Sequence, residues 1–222
     1  MPYFLGMMGE VATRAFKVVW YAKWFVHRAL RPEEFGGLVH MTRTGQAAYP
    51  LHGDILNSQA LGRVFTNNGT YFLPQAFPEG CPQHPSYAQG HASMAGACAT
   101  VLKAAFDGSF LYAELPDSMS LTGPAPVGTS IVTASEDGLS LIPYTGTDAG
   151  QMTVGGEINK LASNIGLARN FAGIHWRSDY QQGLLLGEAV ALSVLQGQAN
   201  SYPGESFEGF TITKFDGTSI TV

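Results

Sequence analysis

Residues 90 to 106, GHASMAGACATVLKAAF, restrict the fold more than any other part of the chain. Ala is the strongest helix former, and small side chains let neighbouring helices approach closely. The segment predicts a helix packed among other helices. Its beginning is unusual. A helix entered from a loop normally takes Ser, Asp or Asn as its cap, but here a Gly90–His91 step stands at the junction. Such a step leaves backbone N–H groups open to an anion, with an imidazole beside them.

The remaining pattern predicts one mainly α-helical domain over residues 1–222, with loops gathered around a site. Val11, Ala15, Val18, Val19, Ala22, Phe25, Val26 and Ala29 recur at three- and four-residue steps. Residues 8 to 31 therefore read as one long helix stopped by Pro32. Residues 33 to 50 read as loop, 53 to 65 as a short helix, and 66 to 87, with four prolines, as an ordered irregular connection. Residues 107 to 152 lack helical periodicity and read as loop with one short strand pair. Loops of that length usually wall a pocket, so residues 107 to 150 are expected to line the entrance of a site. Helix resumes over 153 to 174, and a last long helix begins near Ser178. Residues 209 to 222 alternate around Asp216-Gly217 as a β-hairpin.

Composition narrows the function classes. A net charge of −5 argues against nucleic-acid binding, which needs a basic face. No apolar run is long enough to span a bilayer and no signal peptide is legible, so a soluble protein is expected, its compartment undetermined. Only 13% of residues are charged, and a surface that poor in charge predicts a homo-oligomer. Cys81 and Cys98 lack metal-ligand spacing and read as two free, buried thiols, with one bridge as the alternative.

The scarce cations are therefore informative. Lys23 and Arg31 stand eight residues apart, near two helical turns. They are either surface charges flanking a helix end or an inward pair, which burial would permit only if an anion or carboxylates met them. Arg169, His175 and Asp179 form a second group across a helix end and turn. His175 is either a satisfied structural imidazole or a ligand whose tautomer a carboxylate fixes. Asp179 is expected to cap the following helix with Ser178, the alternative being to orient an imidazole or guanidinium. The third group is His84, Gln89, Gly90 and His91. Cations, open N–H groups and imidazoles in three segments are the inventory of a site for a tetrahedral oxyanion such as phosphate or vanadate.

KWFVHRALRPEEFGG, HPSYAQGHA and ARNFAGIHWRSD resemble, in order, the three motifs of the vanadium-dependent haloperoxidases, most closely the bromoperoxidase branch. The likeness runs from about residue 8 to residue 195. The signature is shared more loosely with type 2 phosphatidic acid phosphatases and bacterial acid phosphatases. Known members are longer, so the resemblance implies that this chain matches their C-terminal, site-bearing part. It implies an all-α helical bundle, here with long loops and a small C-terminal hairpin. It also implies a vanadate cofactor, with phosphate able to occupy the same place. In that comparison His175 is the ligand to vanadium, while Lys23, Arg31 and Arg169 neutralise the oxyanion. The Gly90 N–H donates to it, and His91 is the acid/base. His84 falls where bromoperoxidases carry His. The family usually reads Pro-Ser-Gly-His where this chain reads Ala88-Gln89-Gly90-His91, so the Gln89 amide replaces a hydroxyl donor.

The activity implied is oxidation of bromide or iodide by hydrogen peroxide to hypohalous acid, which halogenates an organic acceptor, with Lys23, His84 and His91 as the catalytic groups. Two alternatives stay open. One is a phosphomonoesterase using the same pocket, with His175 as nucleophile. The other is a catalytically weak member that binds oxyanions.

Overall fold

We describe the chain from a computed structural model, over residues 2–114, 131–202 and 206–222. Its helices are α1 (Pro2–Tyr21), α2 (Pro32–Arg43), α3 (Gly53–Leu56), α4 (Gln59–Asn68), α5 (Gly90–Ala105), α6 (Val154–Phe171) and α7 (Arg177–Ala199). Two antiparallel strand pairs complete it: β1 (Val132–Ala134) with β2 (Leu141–Pro143), and β3 (Thr211–Thr213) with β4 (Ser219–Thr221). No helix among the described residues is long and apolar enough to cross a membrane.

The Ala-rich helix lies at the centre, as its composition predicts. α5 packs most extensively on α7, then on α1 and α6. Met7, Val11 and Ala15 of α1 meet Ala97 and Val101 of α5 and Ala191, Val194 and Leu195 of α7, and Phe210 and Ile212 close this core from the hairpin. Ala92, Ala95 and Ala99 on the other side of α5 pack against Ala162 and Leu184. α5 and α7 touch through backbone. A Cβ at Gly96 would overlap the Leu184 carbonyl, and one at Gly187 would overlap the carbonyl of Ser93. Gly187→Val should therefore force the two helices apart. Overpacking costs about 1–3 kcal/mol at ordinary core sites, and a clash against main chain belongs at or above the top of that range. A denaturation midpoint equal to that of the unaltered protein would contradict this packing.

Several elements differ from the sequence reading. The expected helix over 8 to 31 ends at Tyr21 and gives way to a π-helical turn, Ala22–His27. Arg28 then adopts a left-handed φ of 46°, and its N–H returns to the Lys23 carbonyl. Met7, Val11, Ala15, Val19 and Lys23 form the buried stripe, and Val18, Phe25 and Val26 are exposed. Residues 33 to 50 are not all loop, because Pro32 begins α2 instead of stopping α1. A proline at the first helical position followed by Glu33 and Glu34 is a start signal, and the Glu34 carboxylate accepts the Arg31 N–H at 3.1 Å. The helix expected over 53 to 65 is split in two, Ser58 capping the second part through the Leu61 N–H. α5, α6, α7, the strand pair near residue 140 and the terminal hairpin fall where expected. Both cysteines are free; Cys81 is buried and Cys98 half-buried.

Candidate active site

Three segments meet at a cavity of about 560 Å³: the π turn with the chain leading to α2, the loop running into α5, and the end of α6 with the turn before α7. Lys23, Arg31, His84, Gly90, His91, Arg169 and His175 all line it. Aromatic rings of Phe16, Trp20 and Phe77 form its apolar wall. The site residues are thus brought together with one exception. Gln89 is fully buried and does not line the cavity, and its Nε2 donates instead to Asn170 Oδ1 at 3.4 Å. Its Oε1 has no partner among the described residues. Of the residues 107 to 150 expected at the entrance, none of those described lines the cavity, whose wall includes Phe77 and Glu79–Gln83. Residues 115–130 of that loop lie outside the described residues.

Lys23 and Arg31 are the inward pair, each only 1% exposed. They reach this position without sharing a helix, because the π turn and the extended step at Arg31 bring both inward. Lys23 Nζ donates to the Pro85 and Ser86 carbonyls at 2.6 and 2.8 Å. Arg31 spans all three segments. Its Nε donates to the His84 carbonyl at 2.7 Å and its Nη1 to the Ile174 carbonyl at 2.9 Å. Nη1 also stands 3.1 Å from His175 Nε2, and Nη2 stands 3.1 Å from His84 Nδ1. A guanidinium has no lone pair to offer, so both ring nitrogens act as acceptors.

His175 is held from behind. Its Nδ1 lies 2.9 Å from Asp179 Oδ2, which also accepts the Trp176 N–H at 3.0 Å and the Ser86 hydroxyl. Burial alone would raise the Asp179 pKa, but the hydrogen bonds from His175, Ser86 and the Trp176 N–H outweigh it and keep the group a carboxylate. Nδ1 therefore carries the proton, and the lone pair on the cavity side is that of Nε2, which Arg31 Nη1 meets at 3.1 Å. Burial pushes the His175 pKa down to about 4 against the opposing Asp179 hydrogen bond, so the ring is neutral near pH 7. Asp179 thus does both things the sequence left open, capping α7 and orienting the imidazole.

The N-terminus of α5 completes the surface. Gln89 makes no side-chain cap bond, so the first N–H groups of the helix, at Gly90 and His91, have no intrahelical acceptor. Arg169 Nη2 donates to His91 Nε2 at 2.7 Å, while its buried Nε has no partner among the described residues. Burial, then the Arg169 charge, lowers the His91 pKa. His84 is lowered by burial and then by Lys23 and Arg31. Three cations, an unpartnered guanidinium N–H and uncapped helix N–H groups form a donor set for the oxygens of a multiply charged oxyanion, while the His175 lone pair could bond only its central atom.

The charge on Lys23 makes that set pH-sensitive. Burial, then Arg31, lowers its pKa to about 7, with Asp179 pulling the other way. Above pH 7 the ligand-free amine is increasingly neutral, and an anion must draw a proton onto it to bind. Affinity for sulfate, which keeps one charge state across this range, should fall about tenfold per unit as pH rises past 7. Titration calorimetry should show proton uptake there, and Lys23→Met should flatten the limb.

A sequence model of the VCPO second helical-bundle domain matches residues 4–203, and the chain belongs to that family. It is 40% identical over 237 residues to the vanadium-dependent bromoperoxidase of Corallina officinalis, covering 98% of this chain and 36% of that one. It is 39% identical to the vanadium-dependent bromoperoxidase of Ascophyllum nodosum over 91% of its own length. The fold superposes on a homohexameric vanadate-dependent bromoperoxidase of Ascophyllum nodosum with a TM-score of 0.79 and 31% identity, over 98% of this chain and 39% of that one. The chain spans little more than a third of the length of these relatives.

Ser86 was not singled out from the sequence. Its residue type is common in loops, and only its place between two site histidines could have drawn attention to it. Glu33 was also passed over; its carboxylate accepts the Cys81 N–H at 2.5 Å and fixes the cavity's outer wall.

Proposed function

We propose that this protein is a vanadate-dependent bromoperoxidase, oxidising bromide or iodide with hydrogen peroxide and halogenating an organic acceptor. The observation that carries this reading is the convergence of Lys23, Arg31, Arg169, His91 and the Gly90 N–H on the cavity beside the His175 Nε2 lone pair. The orphaned Arg169 Nε and the uncapped start of α5 are donors without acceptors, which an oxyanion such as vanadate supplies. Bound vanadate would act as a Lewis-acid centre that activates peroxide toward halide without itself changing oxidation state.

Each residue then has a part. His175 Nε2 is the ligand, and Asp179 keeps its proton on the far nitrogen. Lys23, Arg31 and Arg169 balance the negative charge, with Gly90 N–H as a further donor. His91, kept neutral by burial and by Arg169, takes the proton from hydrogen peroxide and returns it to the departing oxygen as water forms. His84, fixed by Arg31, stands at the wall where halide enters. The overall reaction joins hydrogen peroxide, bromide and one proton to give hypobromous acid and water. Gln89, turned toward Asn170, leaves its place in the motif to backbone donors.

The test is bromination of a phenolic dye by the purified protein with bromide and peroxide, before and after adding orthovanadate. Activity that depends on vanadate supports the reading. Silence with halide, together with vanadate-inhibited phosphate release from an aryl phosphate, replaces it with the phosphomonoesterase. Silence in both, with oxyanion bound, leaves an oxyanion-binding member without turnover.

We also propose that the chain works as a homo-oligomer. Tyr21, Trp24, Phe25, Val26 and Leu30 are exposed together around the π turn, and the Ascophyllum nodosum relative is a homohexamer. Light scattering should give a multiple of 23.7 kDa at micromolar concentration, and a monomer would count against the proposal.

A further inference from the structure

The two sides of the site, the Lys23 ammonium and the His175 imidazole, come from segments far apart in the chain, and neither touches the other directly among the hydrogen bonds described. One residue touches both systems. Ser86 is fully buried in the loop ahead of α5. Its N–H donates to the Ala29 carbonyl at 2.9 Å, tying the loop to the chain between the π turn and Arg31. Its carbonyl accepts from Lys23 Nζ at 2.8 Å. Its hydroxyl donates to Asp179 Oδ2, and its oxygen lies 3.4 Å from His175 Nδ1.

We propose that Ser86 is a positioning residue that joins Lys23 and His175 into one unit, its carbonyl holding the ammonium and its hydroxyl, through Asp179, holding the imidazole. The inference rests on the oxyanion reading of the cavity, but its first readout does not need any ligand.

The argument turns on one oxygen. Asp179 Oδ2 accepts three donors: the Ser86 hydroxyl, His175 Nδ1 and the Trp176 N–H. The Trp176 N–H is fixed by the start of α7, so Ser86 is the side chain that restrains this oxygen from the opposite segment. With its hydroxyl proton spent on Asp179, Ser86 offers His175 Nδ1 only lone pairs, and Nδ1 must be the protonated nitrogen. Ser86 thereby fixes the position of the carboxylate that, with Arg31 on the far nitrogen, sets the tautomer of the ring. Asp179 is fixed at its backbone too, since its carbonyl accepts the Gln89 N–H at 3.0 Å beside the start of α5. Partners behind a ligating histidine are worth about 10–100-fold in affinity when removed.

Ser86→Ala deletes the hydroxyl and keeps the carbonyl that holds Lys23. Nitrogen NMR of ¹⁵N-histidine-labelled protein at pH 7 reports the tautomer without ligand. We expect the Nδ1-protonated tautomer of His175 in both proteins, because Asp179 and Arg31 still flank the ring, and a shifted Nδ1 resonance in Ser86→Ala, where the carboxylate has lost a restraint. Affinity for inorganic phosphate should fall by about tenfold. Ser86→Thr retains the hydroxyl and should restore both the resonance and most of the affinity, which a purely structural role would not do. A Ser86→Ala protein with the unaltered resonance and affinity overturns the inference. Should Ser86→Ala not fold, the Thr and Cys variants carry the comparison: Thr must keep the Nδ1 resonance and Cys, a weak donor, must shift it, and equal spectra overturn the proposal. Failure of the oxyanion reading gives a different result, in which the unaltered protein shows the single tautomer but binds neither phosphate nor orthovanadate.

Discussion

His175→Ala is expected to abolish the bromination proposed for this chain and to weaken oxyanion binding by more than the 10–100-fold that loss of a partner behind a ligand costs. The reason is geometric. Asp179 fixes the proton on Nδ1, and Nε2 is left as a lone pair next to Arg31 at the cavity wall. Deleting the ring removes that lone pair and leaves the cations without the group that anchors an anion among them. The substitution also has a signature in acid. A His held near 4 in the fold but near 6.5 when unfolded binds fewer protons in the folded state across that interval. Its contribution to stability is therefore fully present above about 6.5 and is lost as pH falls toward 4, by about 3 kcal/mol in total. The unaltered protein should lose melting temperature over that window more steeply than His175→Ala. Parallel acid limbs, or bromination retained by the variant, would contradict the assignment.

Arg31→Ala should have the largest effect on stability within the site. Arg31 is almost wholly buried and donates to the His84 and Ile174 carbonyls while meeting both His175 Nε2 and His84 Nδ1. Removing it takes the side-chain donor from the part-buried His84 carbonyl, leaves the buried Ile174 carbonyl only the weak Cys81 thiol, and opens a cavity where three segments join. Each unsatisfied acceptor costs about 1–3 kcal/mol, so a loss on the order of 3–5 kcal/mol is expected. Arg31→Lys keeps the charge but not the planar fork, and one ammonium cannot replace a group that spans three segments. Its stability should fall between the other two proteins, with oxyanion affinity still reduced. Denaturant titration of the three proteins measures the order; an Ala variant as stable as the unaltered chain would show that Arg31 does not join the segments.

The residues that line the cavity are more legible in the sequence than the path the chain takes to bring them together. Lys23, Arg31, Arg169, Gly90, His91 and His175 could be picked out because cations are scarce here and three motifs carry them in order. The π turn was not legible. It arises where a helical stretch accommodates extra backbone, and the left-handed residue that ends it is Arg28, not a glycine that would mark the bend. α2 is marked by Pro32, Glu33 and Glu34, a start signal that outweighs the Gly36–Gly37 pair in its interior. The long segment 107 to 150 was expected at the entrance because of its length. Its described residues do not line the cavity, and the proline-bearing loop near Cys81, which Glu33 holds in place, supplies part of the wall. Gln89 was expected to substitute for a hydroxyl, but at the N-cap its longer side chain turns away to Asn170. Ser86 and the dual use of Asp179 depend on contacts between residues 86, 175 and 179, which no local pattern encodes.

The central claim is that one cavity, assembled from three segments, holds an oxyanion on His175. A crystal structure of the protein grown with orthovanadate tests it most directly. The account predicts vanadium bonded to Nε2 of His175, with its oxygens met by Lys23, Arg31, Arg169 and the Gly90 N–H. Vanadate bound elsewhere on the chain, or density in the cavity with His175 turned away from it, would contradict the account.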